Sequence, residues 1–149
     1  MKISSRRGFT LIEVLLVVVI IAILAGIVII AVNPARQIAQ TNNAQRNSDV
    51  VAILDAVHQY AVDNRGALPT AITTTDSPLS STGINICDDL VPTYLSALPY
   101  DPTATGASFT TCDAAGGYDT GYTISKTADN RVTVVAPGAE LGTVISVSR

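Results

Sequence analysis

Between Phe9 and Val32 the chain reads FTLIEVLLVVVIIAILAGIVIIAV: twenty-four residues, of which eighteen are Phe, Leu, Ile or Val and one, Glu13, is a carboxylate. As a helix at about 1.5 Å per residue the run spans roughly 36 Å, enough to cross the hydrocarbon core of a bilayer. Leaving those side chains in water, at about 1.5–3 kcal/mol each, would cost several tens of kcal/mol, more than the whole stability of a domain. The segment therefore belongs in lipid or against other protein. Glu13 is the anomaly within it. A carboxylate in a membrane helix costs about 2.5–3.5 kcal/mol near the centre and less near an interface, and such residues mark a partner or a function.

Charge is distributed unevenly around this run. The formal net charge is -3, yet Lys2, Arg6 and Arg7 precede the apolar segment while eleven of the twelve acids follow Glu13. That is a positive-inside pattern and leaves the rest of the chain outside the cell membrane. An acidic exterior has no basic stripe, so nucleic-acid binding is not indicated.

Three readings compete for the amino-terminal segment. A cleaved secretory signal needs small residues in an A-x-A arrangement, and the best place, Ile23 to Gly26, offers the large Ile23 instead. A plain membrane anchor accounts for length and flanking bases but not for Glu13. The third reading rests on RRGFTLIEVLLVVVIIAIL, Arg6 to Leu24. This stretch resembles the class III signal of type IV prepilins and pseudopilins: a short basic leader, Gly, then Phe-Thr-Leu-Ile-Glu opening a long apolar helix.

The resemblance implies that a prepilin peptidase cuts between Gly8 and Phe9, that Phe9 becomes the N-methylated first residue, and that the apolar helix persists in the mature subunit. It also implies an inner-membrane assembly platform as partner and self-association into a helical filament, extracellular once assembled. Cleavage would create a cationic amine four residues before Glu13, at a helix start whose unpaired N–H groups favour an anion. In the family's assembly scheme the Glu of an incoming subunit neutralises the amine of its neighbour. Glu13 is thus the candidate assembly residue, because a buried charge is tolerated when matched and penalised when not.

Four segments follow from this: a leader over 1–8, a membrane and assembly helix over 9–32, an amphipathic continuation over 33–66, and a head over 67–149. Asn33-Pro34 predicts a kink, since Pro removes a donor and clashes with the preceding turn. In SDVVAILDAVHQYAVDNRG, residues Val50, Leu54, Val57 and Ala61 recur three or four apart, with Asp49, Asp55 and Asp63 largely on other faces. Gly66 reads as the left-handed stop. His58 lies beside the stripe with no ligand at metal spacing, so it reads as a partly exposed helix residue.

The head predicts a helical turn around Leu90 to Leu95, stopped by Pro99, and then three strands: TGYTISK, RVTVVA and TVISVS, with a turn at Thr127 to Asn130. Alternation puts Tyr122 and Ile124 on one face and Val132 and Val134 on one face. A three-stranded antiparallel meander over the helix stripe gives an α+β, pilin-like fold. Cys87 and Cys112 are the two cysteines, and an even count outside the membrane predicts one disulfide, the alternative being two free thiols.

Tyr94 to Gly106, YLSALPYDPTATG, resembles the YL..LP.DP segment of type II secretion pseudopilins, whose later loop binds calcium; the Trp-Gly that usually follows is missing here. Asp101, Asp113 and Asp119 supply oxygen for a hard cation, but no loop spacing forces them together, and turn or cap roles are the plainer reading. No metal site and no cofactor is therefore expected. Paired catalytic carboxylates, a nucleophile elbow, a phosphate loop and zinc spacing are absent from the sequence, so it does not read as an enzyme. The expected function is a structural subunit of a type IV pilus-like filament. The alternatives are a pseudopilin of a secretion or competence system, and a monomeric membrane-anchored binding domain.

Overall fold

The apolar run becomes helix α1, Leu11–Ala31, and a second helix, α2, covers Pro34–Asp63. A computed structural model describes residues 8–31, 33–113 and 116–149. The basic leader residues Met1 to Arg7 and the last position of the expected membrane segment, Val32, lie outside the described residues. The chain forms two compact units, residues 1–37 and 38–149.

In the first unit Thr10 starts α1. Its hydroxyl accepts the Glu13 N–H at 3.3 Å and its carbonyl accepts those of Glu13 at 3.1 Å and Val14 at 3.2 Å. These bonds satisfy donors that a helix start otherwise leaves unpaired. Pro34 does not bend a running helix; it is the first residue of a new one. The Asn33 side chain caps that start, accepting the Arg36 N–H at 3.2 Å, and a first-turn Pro has no N–H to lose.

The second unit is built on the apolar stripe of α2. Val50, Ile53, Leu54, Ala56 and Val57 are buried, Ala61 is half-buried, and the stripe lies under a sheet. The three expected strands form an antiparallel meander: β3 (Tyr118–Lys126), β4 (Val132–Ala136) and β5 (Ile145–Ser148). Two short strands, β1 (Ser77–Ser80) and β2 (Ser108–Phe109), add to β3, so the sheet has five strands. Neither addition has an alternating apolar pattern, because both are too short to show a period. Along β3 the buried positions are Tyr118, Thr120, Tyr122 and Ile124, the period of two that turns one face to α2. Val132 and Val134 complete that face from β4.

Local stops follow the expected chemistry. Arg65 and Gly66 end α2 in the left-handed region at φ 59 and 89, and the Gly66 N–H returns to the Ala61 carbonyl at 2.7 Å. The β3–β4 turn closes with Asn130 N–H on the Thr127 carbonyl at 3.0 Å. The helical turn of the head begins earlier than expected. Helix α3 is Cys87–Leu90, and the stretch to Leu95 is a turn whose N–H groups at Tyr94 and Leu95 both reach back to the Leu90 carbonyl. Val91 already has extended ψ, as a residue before proline must, and that ends the helix at Leu90.

Cys87 and Cys112 are joined, with Cα atoms 5.3 Å apart, closing a loop of sequence separation 25 between α3 and the approach to β3. Reduction should lower the stability of the head by about 3–4 kcal/mol through the freed chain entropy. Urea unfolding in detergent, followed by near-ultraviolet dichroism of the buried Tyr118 and Tyr122, should show the midpoint fall on adding a reductant; an unchanged midpoint would deny the bridge a stabilising role.

Candidate functional site

Phe9 stands just before α1, and Glu13 and Val17 lie four apart on one face of the helix. Phe9 is 82% exposed, and every large apolar side chain described from Leu11 to Ile29 stands at about half exposure or more. Phe9, Glu13, Val14, Val17 and Val18 frame a shallow apolar recess of about 340 Å³. Leu11–Ile29 is long and apolar enough to cross a membrane. A surface of this kind, with a carboxylate in its first turn, holds no chemistry of its own. It can bury itself in lipid, accept like helices alongside, and receive a cation at Glu13.

Glu13 has a local role as well. Thr10-Leu11-Ile12-Glu13 has the spacing of a capping box, and Thr10 makes its half of that motif. The returning bond from the Glu13 carboxylate is not among the described interactions. A charge at the positive end of the helix dipole is favourable in itself, worth about 0.3–1 kcal/mol when exposed.

The second cluster lies within the head and centres on Arg46, which is completely buried. Its Nε donates to Asp101 Oδ2 at 2.7 Å and Nη2 to Asp101 Oδ1 at 3.1 Å, a two-pronged pair with both side chains at 0% exposure. Nη1 donates to Glu140 Oε2 at 2.8 Å and to Asn43 Oδ1 at 2.9 Å, and Nη2 also reaches Thr103 Oγ1. Burial pushes the Asp101 carboxyl up, but the Arg46 and Thr103 hydrogen bonds and the Arg46 charge outweigh it and hold the group below its ordinary value. Glu140 is likewise held low, first by its bond to Arg46. Beside this cluster Asp49 is buried rather than turned away from the stripe. It accepts from Tyr122 Oη at 2.8 Å and Gln45 Nε2 at 2.7 Å, and burial raises its carboxyl despite both bonds.

The sequence reading did not single out Arg46, although 46, 50, 53, 54 and 57 fall on one helix face and place it one turn below the stripe. Its partner Asp101 lies fifty-five residues away and carries no such signal. The three acids considered for a cation are each engaged locally, Asp101 and Asp113 in loops and Asp119 within β3. Asp101 binds Arg46 and caps Thr103 and Ala104, Asp113 accepts from Thr111 Oγ1 at 3.2 Å, and Asp119 accepts from the Gly121 N–H at 2.9 Å. Among the described residues no group of three or more His, Cys, Asp or Glu could hold a metal ion. His58 is half-buried, with Nε2 enclosed and without a hydrogen-bond partner.

A profile of the prokaryotic N-terminal methylation motif matches residues 3–29. Type II secretion system core protein G of Escherichia coli (strain K12) is 38% identical over 61 residues, 41% of this chain and 41% of that protein. Type II secretion system core protein G of Klebsiella michiganensis is 37% identical over 67 residues, 43% of this chain and 44% of its own length. The match thus spans less than half of either relative. No solved structure matches the chain.

Replacing Asp101 by Ala should destabilise the head by about 3 kcal/mol, because buried Arg46 would lose its two-pronged partner and keep only Glu140 as counter-charge, whereas the paired change Arg46→Met with Asp101→Leu should cost far less. The pH dependence has two limbs of opposite sign. Asp49 binds its proton more tightly folded than unfolded, so its protonation stabilises the head as pH falls through that raised value. Asp101 and Glu140 bind theirs less tightly folded, so the stability they contribute is present above their unfolded values and lost as pH falls through the lowered ones. Urea titration from neutral to acid pH should show a shallow rise and then a fall below the ordinary carboxylate range; Asp49→Asn should reduce the rise and leave the fall, the remainder of the rise belonging to Asp89, whose carboxyl burial also raises.

Proposed function

We propose that this chain belongs to the type IV pilin and type II secretion pseudopilin family and is a structural subunit that is cleaved after Gly8, methylated at Phe9, held in the membrane by α1 and polymerised through the same helix into a pilus-like filament, a reading supported by the methylation-motif match and the two relatives. The observation that carries this reading is Glu13 standing in the first turn of an apolar helix whose described large apolar side chains are about half exposed or more, four residues after Phe9. Cleavage places a cationic amine on Phe9, and Glu13 of an incoming copy neutralises the amine of its neighbour as their apolar helices pack. The prepilin peptidase, the assembly platform and the membrane are the partners this requires. Leader over 1–8, assembly helix over 9–32, continuation over 33–66 and head over 67–149 divide the labour: address, polymerisation, support and surface. A pseudopilus of a type II secretion system is the second reading, favoured by the names of the two relatives matched. Electron microscopy of sheared surface material separates them, since long fibres belong to the pilus.

Two outcomes test the assignment. Mass spectrometry of the mature protein should find Phe9 as the first residue carrying one extra methyl group, and a bulky residue at Gly8 should leave Met1 to Gly8 attached; an intact leader on the wild-type surface protein would sink the assignment.

Glu13→Val should insert into the membrane normally, because it removes a charge from an apolar helix. It should nevertheless fail to assemble, because the neighbour's ammonium loses its partner at a cost on the order of 3–5 kcal/mol per contact in a dry interface. Glu13→Asp, shorter by a methylene, should assemble in part. The ratio of sheared fibre to membrane-retained subunit reads the effect, and a normal ratio for Glu13→Val with cleavage intact would show that apolar packing alone sets the register.

A further inference from the structure

Two carboxylates of the head, Asp101 and Glu140, share one positive charge, that of Arg46. By charge alone a divalent ion would suit them better. The groups around that charge are also all oxygen: Asp101 Oδ1 and Oδ2, Glu140 Oε2, Asn43 Oδ1 and Thr103 Oγ1, drawn from separated parts of the chain. Oxygens of this kind are what calcium takes, six to eight of them at about 2.3–2.6 Å. The segment YLSALPYDP, which carries Asp101, resembles that of pseudopilins whose later loop binds calcium, so the resemblance would bring such an ion to the head.

Geometry overrides the charge count. A guanidinium has five N–H donors in a rigid fork, and each of the five oxygens accepts from it. Four of these contacts run from 2.7 to 3.1 Å. With a C–N bond of about 1.33 Å, the oxygens stand roughly 3.5–4 Å from the guanidinium carbon. A calcium ion at that centre would need them drawn in by about 1 Å or more.

The oxygens are not free to follow. Asp101 Oδ1 also accepts the N–H groups of Thr103 at 2.8 Å and Ala104 at 3.1 Å. Glu140 is held by Asn42 Nδ2 at 3.0 Å and by two main-chain bonds to the Asn43 side chain, each 2.9 Å. Water cannot make up the difference, since the Arg46 and Asp101 side chains are fully buried and the chain at Gly138 fills the space beside them: a Cβ there would lie 2.6 Å from Asp101 Oδ2 and 3.7 Å from Arg46 Nε. Asp113 and Asp119, the other acids considered for a cation, are exposed and accept from Thr111 Oγ1 and the Gly121 N–H close by in the chain.

We propose that the head is cross-linked by its own cation: the Arg46 guanidinium, and not a calcium ion, joins the Asp101 loop and the Glu140 connection to α2 in a cage selective for a planar fork, so that the head folds without divalent cations. This holds whether or not the chain polymerises.

Urea unfolding of the full-length chain in detergent, followed by the dichroism of Tyr118 and Tyr122, reads the effect. The wild-type midpoint should be the same in a calcium chelator and in millimolar calcium chloride. Arg46→Ala empties the cage and should lower the midpoint. Guanidinium chloride at roughly tens of millimolar, far below the molar range in which it denatures, should raise that midpoint again, whereas calcium chloride at equal ionic strength should not. Arg46→Lys keeps a point charge and loses the fork, so its midpoint should fall well below wild type in calcium and in chelator alike. A wild-type midpoint that falls on chelation overturns the proposal. Recovery of Arg46→Ala by calcium overturns it too, as does failure of guanidinium to raise its midpoint. A wild-type midpoint from Arg46→Lys does the same, by showing that charge alone suffices. If Arg46→Ala does not fold, the chelation and lysine measurements decide.

Discussion

One guanidinium joins three separated parts of the head. Arg46 comes from α2, Asp101 and Thr103 from the loop before β2, and Glu140 from the connection between β4 and β5. The desolvation of such a group is offset only when most of its donors find acceptors, and all three guanidinium nitrogens do. The consequence is geometric. A side chain with five donors in a rigid fork admits few arrangements of its partners, so the loops must be where they are for the charge to be tolerated. Gly138 shows how closely the surroundings fit: a Cβ built there would lie 2.6 Å from Asp101 Oδ2. Apolar packing of Val50, Ile53, Leu54 and Val57 against the sheet supplies the greater part of the favourable free energy, as it must in a domain of this size. The ion cluster instead fixes which loop lies over which turn of α2.

What was legible in the sequence divides along the reach of each signal. Periodic and local features came through: the apolar run, the α2 stripe, the left-handed stop at Gly66, the meander of three strands and their turn. Each depends on residues within a few positions of one another, so a one-dimensional reading contains the physics. The strands Ser77–Ser80 and Ser108–Phe109 were missed because each is held by hydrogen bonds to β3 from a distance, with no pattern of its own. The placement of Asp49 was missed for a related reason. A carboxylate flanking an apolar stripe is assigned to solvent by composition, yet Tyr122 and Gln45 bring it two hydrogen bonds that make burial tolerable. At the amino terminus the reverse holds. Gly8, Phe9 and Glu13 stand out in the sequence, while the structure shows there only a capped helix start.

That contrast separates the two units. In the head, the charges of Arg46, Asp101, Glu140, Asp55 and Arg149 are matched within the chain. In α1, the apolar side chains are at about half exposure or more and the carboxylate of Glu13 has no described ion-pair partner. On the proposed function, free energy that a globular protein would release on folding would here be left for assembly. Lipid can accept the apolar surface, since a bilayer is as apolar as another helix, but lipid does not neutralise Glu13. On the proposed function, the subunit in the membrane would be satisfied in its hydrophobic contacts and unsatisfied in one charge. Neighbouring helices would replace lipid at little gain in burial, so the pairing of that charge would be the term that distinguishes assembled from dispersed subunits. A carboxylate that is a liability for an anchor is, on this account, what gives a polymerising helix its direction and register.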